Sequence, residues 1–198
     1  IKSFEVRRRN FIRSLSIGSG AIVATPAISI PAVANTISKT RTAKEMPTDV
    51  VIAGAGMGGC AAAIAALRNG LRVVMTEETD WIGGQLTQQG LSCPDEHPWI
   101  ESFGATQLYS ELRTAIREYY VRYYPLTEAA KTNKNLNPGS GAVSRLCHEP
   151  RVALAVLSNM LAPYLASGKL TLLLQHKIEG ADINGDKVKA LKAHSLQT

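Results

Sequence analysis

The chain has 198 residues, of which 45% are hydrophobic, and a formal net charge of +6. The length is enough for one domain and part of another. Residues 1–45 contain eight Lys or Arg and two acidic residues, whereas residues 46–198 contain fourteen of each. Because the body is neutral and has no basic stripe with interleaved aromatic residues, the composition argues against nucleic acid as a partner.

The first 34 residues are predicted to be a targeting segment. Residues 8–13, Arg-Arg-Asn-Phe-Ile-Arg, resemble the twin-arginine export motif, and Ala32-Val33-Ala34 is typical of a cleavage site. The mildly apolar stretch between them is interrupted by Gly and Pro, which disfavours a permanent membrane span. We expect a twin-arginine signal peptide that engages the twin-arginine translocase, and a bacterial protein exported to the periplasm. An uncleaved anchor or a basic disordered tail are the alternatives.

Residues 35–47 are polar and basic and are predicted to form a flexible linker. The apolar strand that follows, Val50 to Ala53, runs directly into a glycine turn and then into an Ala-rich helix predicted over 60–69. The turn has the spacing Gly54-x-Gly56-x-x-Gly59. In such a turn the first glycine reverses the chain, the second admits a phosphate to the backbone, and the third packs helix against strand. The pattern predicts a dinucleotide pyrophosphate at this helix N-terminus.

A second strand is predicted over residues 72–76, and Glu77 stands at its carboxyl end, eighteen residues after Gly59. A carboxylate in this position accepts hydrogen bonds from an adenosine ribose. Its charge would repel a 2′-phosphate. The sequence therefore predicts an adenosine site that disfavours NADP.

The segment after Glu77 narrows the choice of dinucleotide. The Gly83-Gly84 pair permits close backbone approach to an extended group. A nicotinamide-binding domain would instead continue within a few dozen residues to another helix and strand. Further distinctive blocks are Trp81 to Thr87, Pro94 to His97, Tyr120 to Leu126 and Ser144 to Val152.

With these blocks, residues 48–192 resemble the FAD-dependent oxidoreductases of the glutathione-reductase-like type, which have two dinucleotide-binding domains. More narrowly they resemble the branch related to the flavoprotein subunit of heterodisulfide reductase. The resemblance implies an α/β fold, a Rossmann-like FAD-binding domain with a parallel sheet, a helical insert at about 100–168 and a β-meander. It also implies that 48–198 is the N-terminal part of that domain, incomplete at the C-terminus, and that it binds FAD weakly alone.

The resemblance also assigns cofactor contacts to particular residues. Gly54, Gly56 and Gly59 would contact the FAD pyrophosphate, and Glu77 the adenosine ribose. Gly83, Gly84 and Gln85 would lie along the inner phosphate, the ribityl chain or the flavin. Ile178, on the first strand of a hairpin, would contact adenine through its backbone.

The remaining elements are predicted from periodicity and turn residues. Apolar residues at helical spacing indicate helices over 106–123 and 150–167, the second beginning with Pro150. A strand is predicted over 170–175. An Asn-Gly turn at 184–186 between alternating apolar residues predicts a hairpin of 177–183 and 187–193.

The sequence says less about catalysis. His97, with Asp95 and Glu96 beside it, and His148 are weak candidates for a proton shuttle, because the pKa of a histidine lies near neutrality. For each histidine a structural role, as a loop histidine hydrogen-bonded to a nearby carboxylate, explains the sequence at least as well as catalysis does. A small molecule is the expected substrate.

The three cysteines, Cys60, Cys93 and Cys147, form no C-x-x-C pair, so no metal site is predicted and no thiol has a partner nearby in sequence. An iron–sulfur cluster would need cysteines from a C-terminal region or from a partner. Two alternatives to an FAD enzyme remain open. One is an NAD-dependent dehydrogenase with the same glycine fingerprint, and the other is a flavin electron-transfer subunit without its own substrate site.

Overall fold

The computed structural model describes residues 44–91 and 93–197. The predicted signal peptide at 1–34 and most of the predicted linker therefore lie outside the described residues. Residues 44–47 are exposed or half-buried and have no regular secondary structure.

A three-stranded parallel sheet forms the centre of the described unit. It consists of β1 (Val50–Ala53), β2 (Val73–Glu77) and β3 (Leu170–Leu174), with β2 in the middle. Val50 pairs with Val73, and Val73 pairs with Leu170. Every residue of β2 is buried, as expected for a central strand of a parallel sheet. Helix α1 (Met57–Arg68) connects β1 to β2 and begins three residues before its predicted start.

The long connection between β2 and β3 is helical, as predicted for residues 100–168. After a short 3₁₀ turn at Gly84–Leu86 it contains α2 (Ile100–Phe103), α3 (Gln107–Tyr123), α4 (Glu128–Thr132) and α5 (Pro150–Ala166). The hydroxyls of Thr106 and Thr127 cap α3 and α4. Proline at the first position of α5 has the fixed φ that suits a helix start. The predicted α3 and α5 are confirmed to within a residue at each end.

The predicted hairpin is also present. Strands β4 (His176–Asn184) and β5 (Lys187–Ser195) form a separate two-stranded antiparallel sheet. Asn184 pairs with Lys187, so the turn consists of Gly185 and Asp186, and Gly185 has φ +63°. Glycine adopts this left-handed conformation at little cost, which explains the strength of the sequence signal.

The hydrophobic core lies between the parallel sheet and the helices that pack on it. Its largest fully buried apolar side chains include Leu67 on α1, Met75 on β2, Ile116 on α3 and Leu161 on α5. This core gives the strand ends and the start of α1 a rigid support. Among the described helices none is both long and apolar enough to cross a membrane.

Candidate functional site

Steric constraints explain why two positions of the turn between β1 and α1 are glycine. Gly54 has φ +96°, a conformation that side chains other than glycine rarely adopt. A Cβ atom on Gly59 would lie 2.1 Å from the carbonyl oxygen of Gly54. The third glycine therefore lets α1 begin directly against the end of β1, as the sequence pattern predicts.

The opposite side of the turn is open. A Cβ atom on Gly56 or Gly58 would meet no atom within 4 Å. Within the described residues no side chain caps α1, and its first turn has no acidic residue. The first amide groups of a helix have no partner within the helix and attract anions. Bare backbone, free amides and open space together suit a pyrophosphate.

Glu77 lies at the carboxyl end of β2 and is 6% exposed. Its Oε2 accepts a hydrogen bond from the backbone N–H of Ala55 at 3.0 Å. Its Oε1 accepts from the N–H and the hydroxyl of Thr79, each at 3.0 Å. Since a carboxylate offers about four acceptor positions, one remains for a ribose hydroxyl. Glu77 thus joins the glycine turn to the segment after β2.

Gly83 and Gly84 are brought against the glycine turn. The N–H of Gly83 donates to the carbonyl of Ala55 at 2.7 Å. Both residues have positive φ, +102° and +53°, and a Cβ atom on Gly84 would lie 3.1 Å from the Cα of Gly56. Gln85, in the 3₁₀ turn, is half-buried. Two segments that are well separated in the chain thus form one backbone surface beside the start of α1.

Cys60 lies underneath this surface. Its thiol donates to the carbonyl of Ala55 at 3.3 Å, and burial raises the pKa of the thiol to about 11. At neutral pH the thiol is therefore protonated and unreactive.

A cavity of about 550 Å³ lies next to the end of β2. It is lined by residues after Glu77, by the residue between β3 and β4, and by the end of the hairpin: Glu78, Thr79, Asp80, Gln175, Leu196 and Gln197. Backbone hydrogen bonds join Gln175 to the carbonyl of Thr79 and Leu196 to that of Gln175. This cavity was not predicted from the sequence, because its lining comes from three separate segments. Ile178, the predicted adenine contact, is half-buried in β4, three residues beyond Gln175, and pairs with Ala193.

The two candidate catalytic histidines have different surroundings. His97 is exposed, and its Nδ1 accepts a hydrogen bond from the N–H of Trp99 at 3.1 Å at the start of α2. His148 is 1% exposed, and its Nδ1 lies 3.1 Å from the carbonyl of Leu146. Its Nε2 has no hydrogen-bond partner among the described residues. Burial lowers the pKa of His148, although the Leu146 carbonyl and Glu96 act in the opposite direction.

Glu96, a neighbour of His97 in the sequence, is held by other residues. Its side chain is 4% exposed and forms an ion pair with Arg113, which is 6% exposed. It also accepts hydrogen bonds from the hydroxyls of Tyr109 at 2.7 Å and Ser144 at 3.0 Å. A buried carboxylate needs such partners to remain charged. Glu96 therefore connects the segment before α2 with α3 and with the segment before α5.

A family model described as FAD dependent oxidoreductase matches residues 49–198. The chain belongs to this family. The glycine turn, Glu77 and the Gly83-Gly84 pair all lie within the matched residues, and the residues present fit FAD, because the turn leaves open space and free amides where a pyrophosphate needs them. None of the curated proteins matches the sequence.

Several solved structures are similar to parts of this chain. Mycobacterium smegmatis Sdh1 in complex with UQ1 has a TM-score of 0.45 and 15% identity over 75% of this chain and 30% of its own. L-amino acid deaminase from Proteus vulgaris has a TM-score of 0.42 and 17% identity over 77% and 46%.

A third is 3-ketosteroid-Δ4-(5α)-dehydrogenase from Rhodococcus jostii RHA1 in complex with 4-androstene-3,17-dione, with a TM-score of 0.38 and 16% identity over 80% and 44%. The chain thus spans less than half the length of each of these proteins. Likeness at this level gives no information about the substrate.

Proposed function

We propose that this chain is the FAD-binding part of an exported oxidoreductase that transfers hydride or electrons to or from a small molecule. Within its family we place it in the branch related to the flavoprotein subunit of heterodisulfide reductase. The blocks Trp81 to Thr87 and Ser144 to Val152 support this branch. Bound FAD supplies the redox chemistry, and the chain supplies binding, orientation and exclusion of water.

The observation that carries the cofactor assignment is the open start of α1. Gly56 and Gly58 leave space, and the first turn has neither a capping side chain among the described residues nor an acidic residue. A capping side chain would occupy the position of a phosphate, and an acidic side chain would repel the phosphate. We therefore assign the FAD pyrophosphate to the amides of residues 57–59.

The adenosine end is assigned to Glu77 and the neighbouring cavity. Glu77 has one acceptor position left for a ribose hydroxyl, and its negative charge excludes a 2′-phosphate. The cavity begins at the next residue, Glu78, and is open enough to admit an adenine ring. Gly83, Gly84 and Gln85 lie beside the start of α1, where the inner phosphate and ribityl chain would continue.

Binding of FAD is tested with the full chain. Purified protein is denatured and the released flavin measured, and apoprotein is titrated with FAD by fluorescence quenching, with NAD and NADP as competitors. We expect FAD to bind, weakly to residues 1–198 alone, with NAD competing poorly and NADP not at all. Absence of released flavin together with tighter binding of NAD would favour the alternative of an NAD-dependent dehydrogenase.

The variant Glu77→Gln tests, in the same titration, whether Glu77 contributes to FAD binding. The amide loses the charge and one acceptor, so we expect about tenfold weaker FAD binding, or ~1.4 kcal/mol. Glu118→Gln, at an exposed position on α3, is the matched control and should bind FAD like the unchanged protein. Because Glu77 also holds the glycine turn, circular dichroism of each apoprotein must show an unchanged fold. Equal affinity of both variants would remove Glu77 from the site.

Export is the second part of the proposal and rests on the motif at residues 8–13. The twin-arginine route carries folded proteins, which allows a cofactor to be inserted before translocation. Replacing Arg8 and Arg9 by Lys should retain the protein in the cytoplasm, as measured by cell fractionation. Unchanged export of the double variant would contradict the assignment and leave FAD binding unaffected.

A further inference from the structure

His148 is a fully buried histidine with one ring nitrogen that has no partner. It lies two residues before the start of α5. Its Nδ1 is 3.1 Å from the carbonyl oxygen of Leu146. Because a carbonyl only accepts hydrogen bonds, Nδ1 carries the proton of the neutral ring and Nε2 carries a lone pair. Nε2 has no hydrogen-bond partner among the described residues. Buried polar atoms in folded proteins nearly always have a partner, so this exception requires an explanation.

The pre-α5 segment, residues 137–149, is folded by hydrogen bonds within itself. Oδ1 of Asn137 accepts from the N–H of Cys147 at 2.6 Å, and Nδ2 of Asn137 donates to two carbonyls of the same segment. The carbonyl of Cys147 accepts from the N–H of Gly139 at 2.8 Å. His148 directly follows the residue at which these bonds meet. Its ring is therefore held in place by the closed form of the pre-α5 segment.

Hydrogen bonds on both sides of His148 attach the pre-α5 segment to the rest of the fold. On the N-terminal side, the hydroxyl of Ser144 donates to the buried carboxylate of Glu96 at 3.0 Å. On the C-terminal side, the N–H of Glu149 donates to the hydroxyl of Tyr120 on α3 at 2.7 Å. His148 thus lies between two attachments, and a change in its charge acts on both.

The groups around His148 do not compensate a positive charge on its ring. Burial lowers the pKa of His148 and outweighs the carbonyl of Leu146 and the charge of Glu96, which act in the opposite direction. Glu96 already has Arg113 of α3 as its counter-charge. Tyr120 of α3 contributes a neutral hydroxyl. The titratable or charged groups next to His148 along the chain are Arg145, Cys147, Glu149 and Arg151. Of these the three charged ones are exposed, so solvent screens them.

We propose that His148 is a pH-sensitive switch that releases the pre-α5 segment when its ring takes up a second proton. In the protonated ring Nε2 becomes a charged donor without an acceptor in its buried position, which costs free energy. Opening of the pre-α5 segment brings the ring into water and removes this cost. The closed form is therefore fully stable above the pKa of about 6.5 that an exposed histidine has, and it loses stability as the pH falls below that value. The strands of the parallel sheet contain no histidine, so the sheet stays folded.

Hydrogen–deuterium exchange of the full chain, measured by mass spectrometry at about pH 7 and about pH 5.5, tests the switch. Both values lie above the ordinary pKa of carboxyl groups, about 4. The reporters are the hydrogen-bonded amides of Cys147 and Glu149, the reference is a peptide from β2, and the rates are corrected for the intrinsic effect of pH. We expect the protection of the pre-α5 segment to fall by up to about eightfold relative to β2, because the ring is protonated only in the open form. Unchanged protection, or an equal fall in β2, would overturn the proposal.

The variant His148→Asn removes the titration. Its amide still donates to the carbonyl of Leu146 but takes up no proton in this pH range. We expect lower protection of the pre-α5 segment, because the smaller side chain leaves a cavity, but equal protection at both pH values. His97→Asn, at an exposed position, is the matched control and should keep the pH dependence of the unchanged protein. A pH dependence that persists in His148→Asn, or that disappears in His97→Asn, would assign the effect to another group.

A measurement on the unchanged protein tests the switch even where a variant fails to fold. Nitrogen-15 NMR of the histidine rings distinguishes a protonated from a bare ring nitrogen. At about pH 7 the ring of His148, assigned through its backbone, should have its proton on Nδ1 and a bare Nε2. A ring of His148 that is charged, or protonated on Nε2, at this pH would contradict the proposal.

Discussion

The cofactor turn and the helical insert are built by different means. At the turn, backbone atoms of glycine residues contact each other directly, and one carboxylate, Glu77, ties the pieces together. In the insert, long side chains connect the segments, and the buried pair of Glu96 and Arg113 joins three of them. The first region depends on the absence of side chains and the second on the charge and reach of particular ones. They should therefore fail in different ways when mutated.

The largest effect is expected for Gly59→Ala. Its Cβ atom would lie 2.1 Å from the carbonyl oxygen of Gly54, where only backbone movement gives relief. We expect a loss of at least ~4 kcal/mol in the free energy of unfolding and loss of FAD binding. Urea unfolding measures the first and flavin titration the second. Gly58→Ala is the matched control for the unfolding measurement, because its Cβ atom meets nothing within 4 Å and alanine favours the helix. Equal stability of both variants would contradict the packing of α1 against β1.

Arg113→Leu tests the insert. Removing the guanidinium leaves the buried carboxylate of Glu96 without its counter-charge, which costs about 3–5 kcal/mol. Arg68→Leu breaks the more exposed pair with Glu111 and should change the stability far less, because solvent screens this pair. Both are measured by urea unfolding. A small loss for Arg113→Leu would show that the network does not hold the insert together.

Tyr109→Phe removes one donor to Glu96 and keeps the ion pair. A hydrogen bond to a charged group contributes about 1.5–3 kcal/mol, so the loss should be smaller than for Arg113→Leu. Tyr123→Phe changes an exposed tyrosine on the same helix and should have almost no effect. If the two variants unfold at the same urea concentration, the Tyr109 hydroxyl contributes nothing to the folded state.

The smallest effect on stability is expected when acid protonates Glu101. Burial raises the pKa of Glu101, but the guanidinium groups of Arg117 and Arg113 outweigh it, so the net pKa is lowered. The ionised Glu101 therefore adds to the free energy of unfolding. This contribution is fully present above the unfolded-state pKa of about 4.3 and is lost as the pH falls through the lower folded-state pKa. Glu101→Gln should flatten the loss of stability below about pH 4.3 in urea titrations. Glu111→Gln, at an exposed pair, should flatten it less, and the reverse order would contradict the difference between the two pairs.

The two regions also differ in how far the sequence predicts them. The glycine pattern is recognisable because a positive φ requires glycine at Gly54 and a backbone clash requires it at Gly59, and such local constraints are visible along the chain. Helices α3 and α5 and the hairpin follow from periodicity and turn chemistry. The roles of Glu96 and Arg113 were missed because an acid in a polar loop and an arginine on a helix are usually exposed. The resemblance located the FAD family correctly, and residues 49–198 match its model.

The sequence alone determined the local events: where strands meet glycine turns, where α3 and α5 begin and end, and which dinucleotide family the turn suits. These depend on interactions between residues a few positions apart. Only the tertiary structure decided which distant groups meet: Glu77 with Ala55, Gly84 with Gly56, and Glu96 with Arg113 and Ser144. Such contacts form when the core brings separate segments together, and a burial pattern does not specify which polar groups will then be neighbours.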